Sequence, residues 1–300
     1  MRVVVWGAGS IGTLLGEHLR RGALQGEISA VTLVCRGARK AAELAKGVRV
    51  RRRDPRMARA EPVVENSAPA WAAETPSSVR GRGHADVVLL TTKANHAIEA
   101  AAHIEKSGIL RPDGNTVVVG LQNGLGSTEN VENVLSASAR VVQGTTYNGC
   151  ALWRDAASAS FTVDHNGLGR TLFGLPAGHG GSPSKRALKC VAKALSRSGL
   201  PCEVVVEEKM RAAVWQKLLV NCVINPLTVL SRDSNGVLAG TLMAGNQVDD
   251  RRVSASAVTF TTDNELAAAW RPLAVSVARE VLAVATARYV HSKLLFRFVW

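Results

Sequence analysis

The tightest constraint in this chain lies at its start. An apolar run, Val3-Val4-Val5-Trp6, leads directly into Gly7-Ala8-Gly9-Ser10-Ile11-Gly12, after which Leu14, Leu15 and Leu19 recur at helical spacing. This is the order of a buried strand, a glycine turn and a helix. The three glycines do different things. The first permits the tight turn, the second lets backbone approach a pyrophosphate, and the third lets the helix pack close to the strand. The helix N-terminus adds free N–H groups and the positive end of its dipole. Residues 7–12 are therefore expected to bind a dinucleotide.

Residues 30–35 (AVTLVC) read as a second strand, which completes a unit of the size that a βαβ crossover requires. An enzyme that uses NAD usually carries Asp or Glu at the end of this strand to hold the ribose 2′-OH. Here Leu33-Val34-Cys35 offers no acid, and Arg36 follows, with Arg39 and Lys40 close by. A carboxylate would repel a 2′-phosphate, whereas a guanidinium binds it in bidentate fashion. NADPH is the expected cofactor, although an arginine after a strand is also compatible with a plain surface position. Lys93 follows the strand-like DVVLLTT and Asn123 follows TVVVGL, both at the carboxyl edge where open α/β sheets bind ligands. Taken alone, Gln122-Asn123-Gly124 is more often a turn than a site.

Further strands are expected near 141–146, 159–163 and 170–174, completing the sheet, and at 202–206. Helices are expected over 94–104 and 184–198. Residues 49–84, rich in Arg, Pro, Ser and Glu, read as short strands or loop. The pattern is helical from about Glu208, with a polar loop at 244–262 and an amphipathic helix at 273–287. The expected fold is α/β: a Rossmann-type domain with a mainly parallel sheet over residues 1–207, then an all-α substrate and catalytic domain over residues 208–300.

The most informative later stretch is Trp215-Gln216-Lys217-Leu218-Leu219-Val220-Asn221-Cys222-Val223-Ile224-Asn225-Pro226-Leu227-Thr228. Lys217, Asn221 and Asn225 fall at i, i+4 and i+8, one polar stripe on a helix that is otherwise apolar and expected to be largely buried. Buried polar groups need partners. Neighbouring loops would satisfy them, as would a ligand with carboxylate and carbonyl oxygens. The lysine favours the ligand, because an ammonium beside a ketone can protonate the forming alkoxide. Pro226 is expected to kink or end the helix.

Charge and cysteine usage narrow the partners. The formal net charge is +13, and the densest basic run, Arg49, Arg51, Arg52, Arg53, Arg56 and Arg59, has no interleaved aromatics, so it reads as a solvated loop. Neither a nucleic-acid nor a membrane partner is expected. The five cysteines form no CxxC pair, which argues against a zinc site or a disulfide framework and for a reducing compartment, the cytoplasm. Met1-Arg2 leads at once into the first strand, so no signal peptide is expected. No apolar window of about 18 residues stands out, so no membrane span is expected either.

GAGSIG at 7–12, TK at 92–93, QNG at 122–124, DHNGLGRTLFG at 164–174 and WQKLLVNCVINPLT at 215–228 together resemble the ketopantoate reductase family in order and spacing. The resemblance implies NADPH-dependent reduction of 2-dehydropantoate (ketopantoate) to pantoate, on the path to pantothenate and coenzyme A. It implies Lys217 as general acid, and Asn123, Asn221, Asn225 and Glu280 as substrate-binding residues. For the cofactor it implies Gly7, Ala8, Gly9, Ser10, Ile11 and Gly12 with Arg36, Lys93 and Asn123, and it implies no metal. The segment 243–271 and the ending His291–Trp300 depart from the family's pattern, so the second domain reads as shortened or altered. Two alternatives therefore stand: a reductase of another branched 2-keto acid, or a cofactor-binding relative with impaired turnover.

Overall fold

In a computed structural model, the structure describes residues 1–23, 26, 28–52, 63–66, 72–135, 138–156, 158–175, 183–232, 235 and 264–288. The chain divides into two compact units, the first ending at Met210 and the second continuing from Arg211.

The first unit is built on an eight-stranded sheet. Its strands are β1 (Arg2–Trp6), β2 (Ala30–Val34), β5 (Ala72–Glu74), β6 (Val87–Leu90), β7 (Val117–Gly120), β8 (Arg140–Thr146), β11 (Thr171–Gly174) and β12 (Cys202–Val205). The spatial order is β12-β11-β8-β7-β6-β1-β2-β5. Every pairing is parallel except β11 with β8. Helices α1 (Ser10–Ala23), α2 (Ala38–Leu44), α3 (Ala97–Lys106), α4 (Ser127–Leu135) and α5 (Pro183–Arg197) join these strands.

The run Val3-Val4-Val5-Trp6 is apolar throughout because both faces of β1 are covered. Val3 and Val5 pack with Leu14, Leu15 and Leu19 of α1 and with Leu188, Val191 and Leu195 of α5. Val4 and Trp6 pack on the other face with Ala97, Ala101 and Ile104 of α3 and with Val131 and Leu135 of α4. Val3, Val4 and Val5 are fully buried, worth roughly 1.5–3 kcal/mol each.

Not every expected strand completes this sheet. The strand expected near 159–163 is β10 (Ser160–Gly167), and it belongs to a second, four-stranded sheet of order β4-β3-β10-β9. Its companions there are β3 (Val48–Arg52), β4 (Val63–Asn66) and β9 (Gly149–Asp155), the last not foreseen. Period-2 alternation identifies a strand but does not choose its neighbour. The reading of the basic run as loop is also corrected, since Arg49, Arg51 and Arg52 lie on β3. Val48 and Val50 alternate with them into the core, and the Arg51 guanidinium forms a fork-like pair with the Asp164 carboxylate on β10. Arg53, Arg56 and Arg59 lie outside the described residues.

The second unit is helical where it is described. Helix α6 (Glu207–Ser231) begins at the end of the first unit and carries the polar stripe; α7 spans Asn264–Arg288. Trp215 and Ala285 are buried together, with Leu218 and Val281 packed against them, so the two helices share an apolar seam. Pro226 does not end α6, which runs on to Ser231; the loss of one N–H donor is tolerated within a long helix. Against expectation, α6 is long and apolar enough, by length and composition alone, to cross a membrane, with a mean hydropathy of 1.3. It is also less buried than its pattern implies: Val220, Val229 and Leu230 are exposed, whereas Trp215 is buried. The expected loop at 244–262 and the ending 291–300 lie outside the described residues.

Candidate functional site

The glycine turn has the geometry of a cradle. Gly7 sits at φ +118°, a conformation that side chains disfavour, and a Cβ there would lie 2.8 Å from the Thr92 nitrogen. A Cβ on Gly12 would lie 1.9 Å from the Gly7 carbonyl oxygen and 2.4 Å from Thr91 Oγ1, so α1 approaches the turn only because residue 12 has no side chain. At Gly9 a Cβ would meet no protein atom within 4 Å: the space beside it is open rather than filled by the fold. Helix bonding begins when Thr13 N–H donates to the Gly9 carbonyl at 2.9 Å, which leaves the amides of the preceding turn directed out of the helix end. The first turn of α1 contains no acid to compete with an anion there.

A cavity of about 480 Å³ opens on this turn. Its walls include Gly7, Ala8 and Gly9 from the turn, Cys35 and Arg36 from the end of β2, and Lys40 from α2. Thr91, Thr92 and Lys93 come from the end of β6, and His96 and Glu99 from the start of α3. Three side-chain cations, Arg36, Lys40 and Lys93, thus face one acid, Glu99, which lies 3.5 Å from His96 Nδ1. The cavity therefore suits a ligand of net negative charge. Burial pushes the Cys35 thiol up, so this wall is that of an inert thiol.

The turn and the end of β6 are fastened to each other. Thr91 Oγ1 donates to the Gly7 carbonyl at 2.7 Å, and Gly7 N–H donates to the Val34 carbonyl at 2.9 Å. Gln122, almost fully buried, donates from Nε2 to the carbonyls of Leu90 and Thr92 at 2.9 and 3.1 Å. Sequence reasoning took Gln122 only as part of a turn signal. The signal that could have marked it is an amide side chain directly after a fully apolar strand, at the same sheet edge as Thr92-Lys93.

The expected cofactor residues divide. The cavity brings Gly7, Ala8, Gly9, Arg36 and Lys93 together. Ser10, Ile11 and Gly12 begin α1 behind it, and Asn123 stands exposed after β7 and does not line it. The motif DHNGLGRTLFG proves structural. Asp164 holds Arg51, and His165 Nε2 donates to Asn148 Oδ1 at 2.9 Å while Asn148 Nδ2 donates to Thr146 Oγ1. A Cβ at Gly169 would lie 2.3 Å from the Tyr147 carbonyl oxygen.

In the second unit, Lys217, Asn221 and Asn225 all lie on α6, with Lys217 and Asn221 half-buried and Asn225 exposed. Burial lowers the Lys217 pKa to about 8, which brings an ammonium into the range useful for proton transfer near neutrality. Glu280 is exposed on α7, next to Val281 in the seam with α6.

Comparison with known proteins gives a consistent result. Residues 3–178 match the family described as Ketopantoate reductase PanE/ApbA. A 2-dehydropantoate 2-reductase of Halobacterium salinarum is 32% identical over 254 residues, covering 85% of this chain and 73% of that protein. Among solved structures, a PanE/ApbA family ketopantoate reductase from Ralstonia eutropha superposes with a TM-score of 0.63 at 21% identity, over 96% of this chain and 75% of that one. D-mandelate dehydrogenase, solved with NADH and anilino(oxo)acetate, shares the fold at a TM-score of 0.58 and 17% identity, over 100% of this chain and 85% of that one.

Proposed function

The chain belongs to the ketopantoate reductase family of nicotinamide-dependent oxidoreductases, and on that premise we propose that it reduces 2-dehydropantoate to pantoate with NADPH, in the cytoplasm, on the path to pantothenate and coenzyme A. The observation that carries the cofactor reading is the cavity at the glycine turn, where Arg36 occupies the place at which an acid would select NAD. We assign cofactor binding to residues 1–207 and substrate binding and proton transfer to residues 208–300.

When bound, a reduced nicotinamide would supply a hydride to the ketone carbon. The protein's part is to bind, orient and protonate. Residues 7–12 receive the diphosphate, with the open space at Gly9 and the amides at the start of α1 as the acceptor surface. Arg36 takes the 2′-phosphate, and Lys93, whose neighbour Thr92 is held by Gln122, adds charge from the end of β6. We assign Asn123 to the nicotinamide and substrate end. Lys217 donates its proton to the alkoxide oxygen as negative charge develops there. Asn221, Asn225 and Glu280 bind and orient the keto acid. Lysine suits this role because its pKa, lowered to about 8 by burial, makes the ammonium a better acid while leaving it mostly charged at neutral pH.

The departures at 243–271 and 291–300 from the family's pattern favour one second reading, a different branched 2-keto acid as substrate. Steady-state oxidation of NADPH by the purified chain, with 2-dehydropantoate and a panel of branched 2-keto acids, tests both. Saturable turnover with 2-dehydropantoate as the preferred acid supports the first. Preference for another acid supports the second. A chain that binds NADPH yet turns over none of them sinks both and leaves a cofactor-binding protein.

A further inference from the structure

Lys40 has no role in the assignments above, yet it is the best-held cation in the cofactor cavity. It lies on α2, four residues after Arg36. Its ammonium donates to the Ala8 carbonyl, inside the glycine turn, at 2.6 Å. It also stands 5.4 Å from the centroid of the Phe161 ring on β10. These contacts fix a flexible side chain at the cavity wall between the turn and the end of β2. Three donors sit on the ammonium, and Ala8 takes one.

No carboxylate pairs with Lys40 among the described residues. The acid nearest to it on α2, Glu43, is taken by Arg39 at 3.1 Å and by Arg154 at 2.6 and 2.8 Å. Lys40 therefore faces the cavity half-buried, with Arg36 as a like-charged neighbour on the same wall. Burial disfavours its charged form most; Cys35 nearby acts the other way, and the charge of Arg36 adds a smaller effect in the same direction as burial. Two cations on one wall with no protein carboxylate between them are relieved by an anionic ligand. Arg36 projects from the connection that follows β2 and Lys40 from the helix that comes next, the region where dinucleotide enzymes read the ribose 2′ position rather than the diphosphate.

We propose that Lys40 is a second specificity-determining residue for the 2′-phosphate, acting together with Arg36 while it braces the glycine turn through the Ala8 carbonyl. This rests on the NADPH reading above. It makes cofactor choice a property of a two-cation clamp, in which the lysine supplies a fixed point charge and the arginine a planar fork.

The test is equilibrium binding of NADPH and NADH to the whole chain, by calorimetry, in the wild type, Lys40→Met and Lys40→Arg. Methionine keeps an apolar stem against Phe161 and removes the charge. The expected result is a loss of about tenfold or more in NADPH affinity for Lys40→Met, the scale of one charge-assisted hydrogen bond. NADH affinity should change by no more than about twofold, and Lys40→Arg should keep most of the preference for NADPH. Equal losses for both cofactors would show that Lys40 only braces the turn and would overturn the proposal. So would an unchanged NADPH affinity. The two readings fail separately: a wild type that does not favour NADPH refutes the NADPH assignment itself, whereas a wild type that favours it, with Lys40→Met keeping the same ratio, refutes only the part given to Lys40.

Discussion

Lowering the pH from 7 to 5 should strip several kcal/mol from the stability of the first unit through two histidines. His18 on α1 and His165 on β10 are both fully buried, with ring centroids 6.5 Å apart in an edge-on arrangement. The neutral ring of His18 donates from Nδ1 to the Ser198 carbonyl at 2.9 Å, and that of His165 donates from Nε2 to Asn148 Oδ1 at 2.9 Å. Burial first, and the charge of Arg52 second, lower both pKa values to about 4; Arg21 adds to the effect on His18. A free histidine titrates near 6.5, so between about 6.5 and 4 the unfolded chain binds protons that the folded one refuses. Stability is therefore full above that window and falls as pH drops through it. The loss from pH 7 to 5 is about 2 kcal/mol for each histidine, or about 4 kcal/mol together as an upper figure. Urea unfolding of the cofactor-free protein, followed by circular dichroism at pH 7, 6 and 5, measures it. The control is the double variant His18→Asn, His165→Gln, which keeps an N–H donor near each original position and cannot titrate. Its stability should be much flatter over this range, whatever its value at pH 7. Parallel pH profiles for the wild type and the double variant would refute the reasoning.

Other expectations follow from the two sites. Gly12→Ala should cost about 1–3 kcal/mol of stability and also weaken NADPH binding, because the new Cβ would press on the Gly7 carbonyl and Thr91; melting and calorimetry together read it. Gly9→Ala meets no protein atom, so its stability should stay within about 1 kcal/mol of wild type while NADPH affinity falls; a normal affinity would place the diphosphate elsewhere. Lys217→Ala should lower turnover by about 10²–10⁴-fold with little change in NADPH binding. In the wild type the rate of keto-acid reduction should fall as pH rises through about 8, where Lys217 loses its proton. Gln122→Ala removes the side-chain donor to the Leu90 and Thr92 carbonyls, leaving Leu90 with only the Leu121 N–H, and should cost about 1–3 kcal/mol in urea titrations.

The start of the Rossmann unit is legible in the sequence because its determinants are local. Glycine spacing, a fully apolar strand and a leucine stripe dictate β1, the turn and α1 within about twenty residues, and Arg36 declares the charge at the end of β2. The helix under Lys217, Asn221 and Asn225 is legible for the same reason. Its environment is not: residues at equal helical spacing differ in exposure, half-buried at 217 and exposed at 225, according to what packs against each turn. Strand β3 looks like loop because arginines fill its outward positions, and its membership of a second sheet depends on β10, more than a hundred residues away. Lys40 resembles any helix-surface lysine until the fold places Ala8 on one side of it and Phe161 on the other. What the sequence by itself determined is most of the backbone elements, β3 and β9 apart, and the faces they present, since those follow from neighbours a few residues apart. Which faces meet, and which cations come to share one cavity wall, was decided only in three dimensions, because those contacts join residues whose separation along the chain carries no periodic trace.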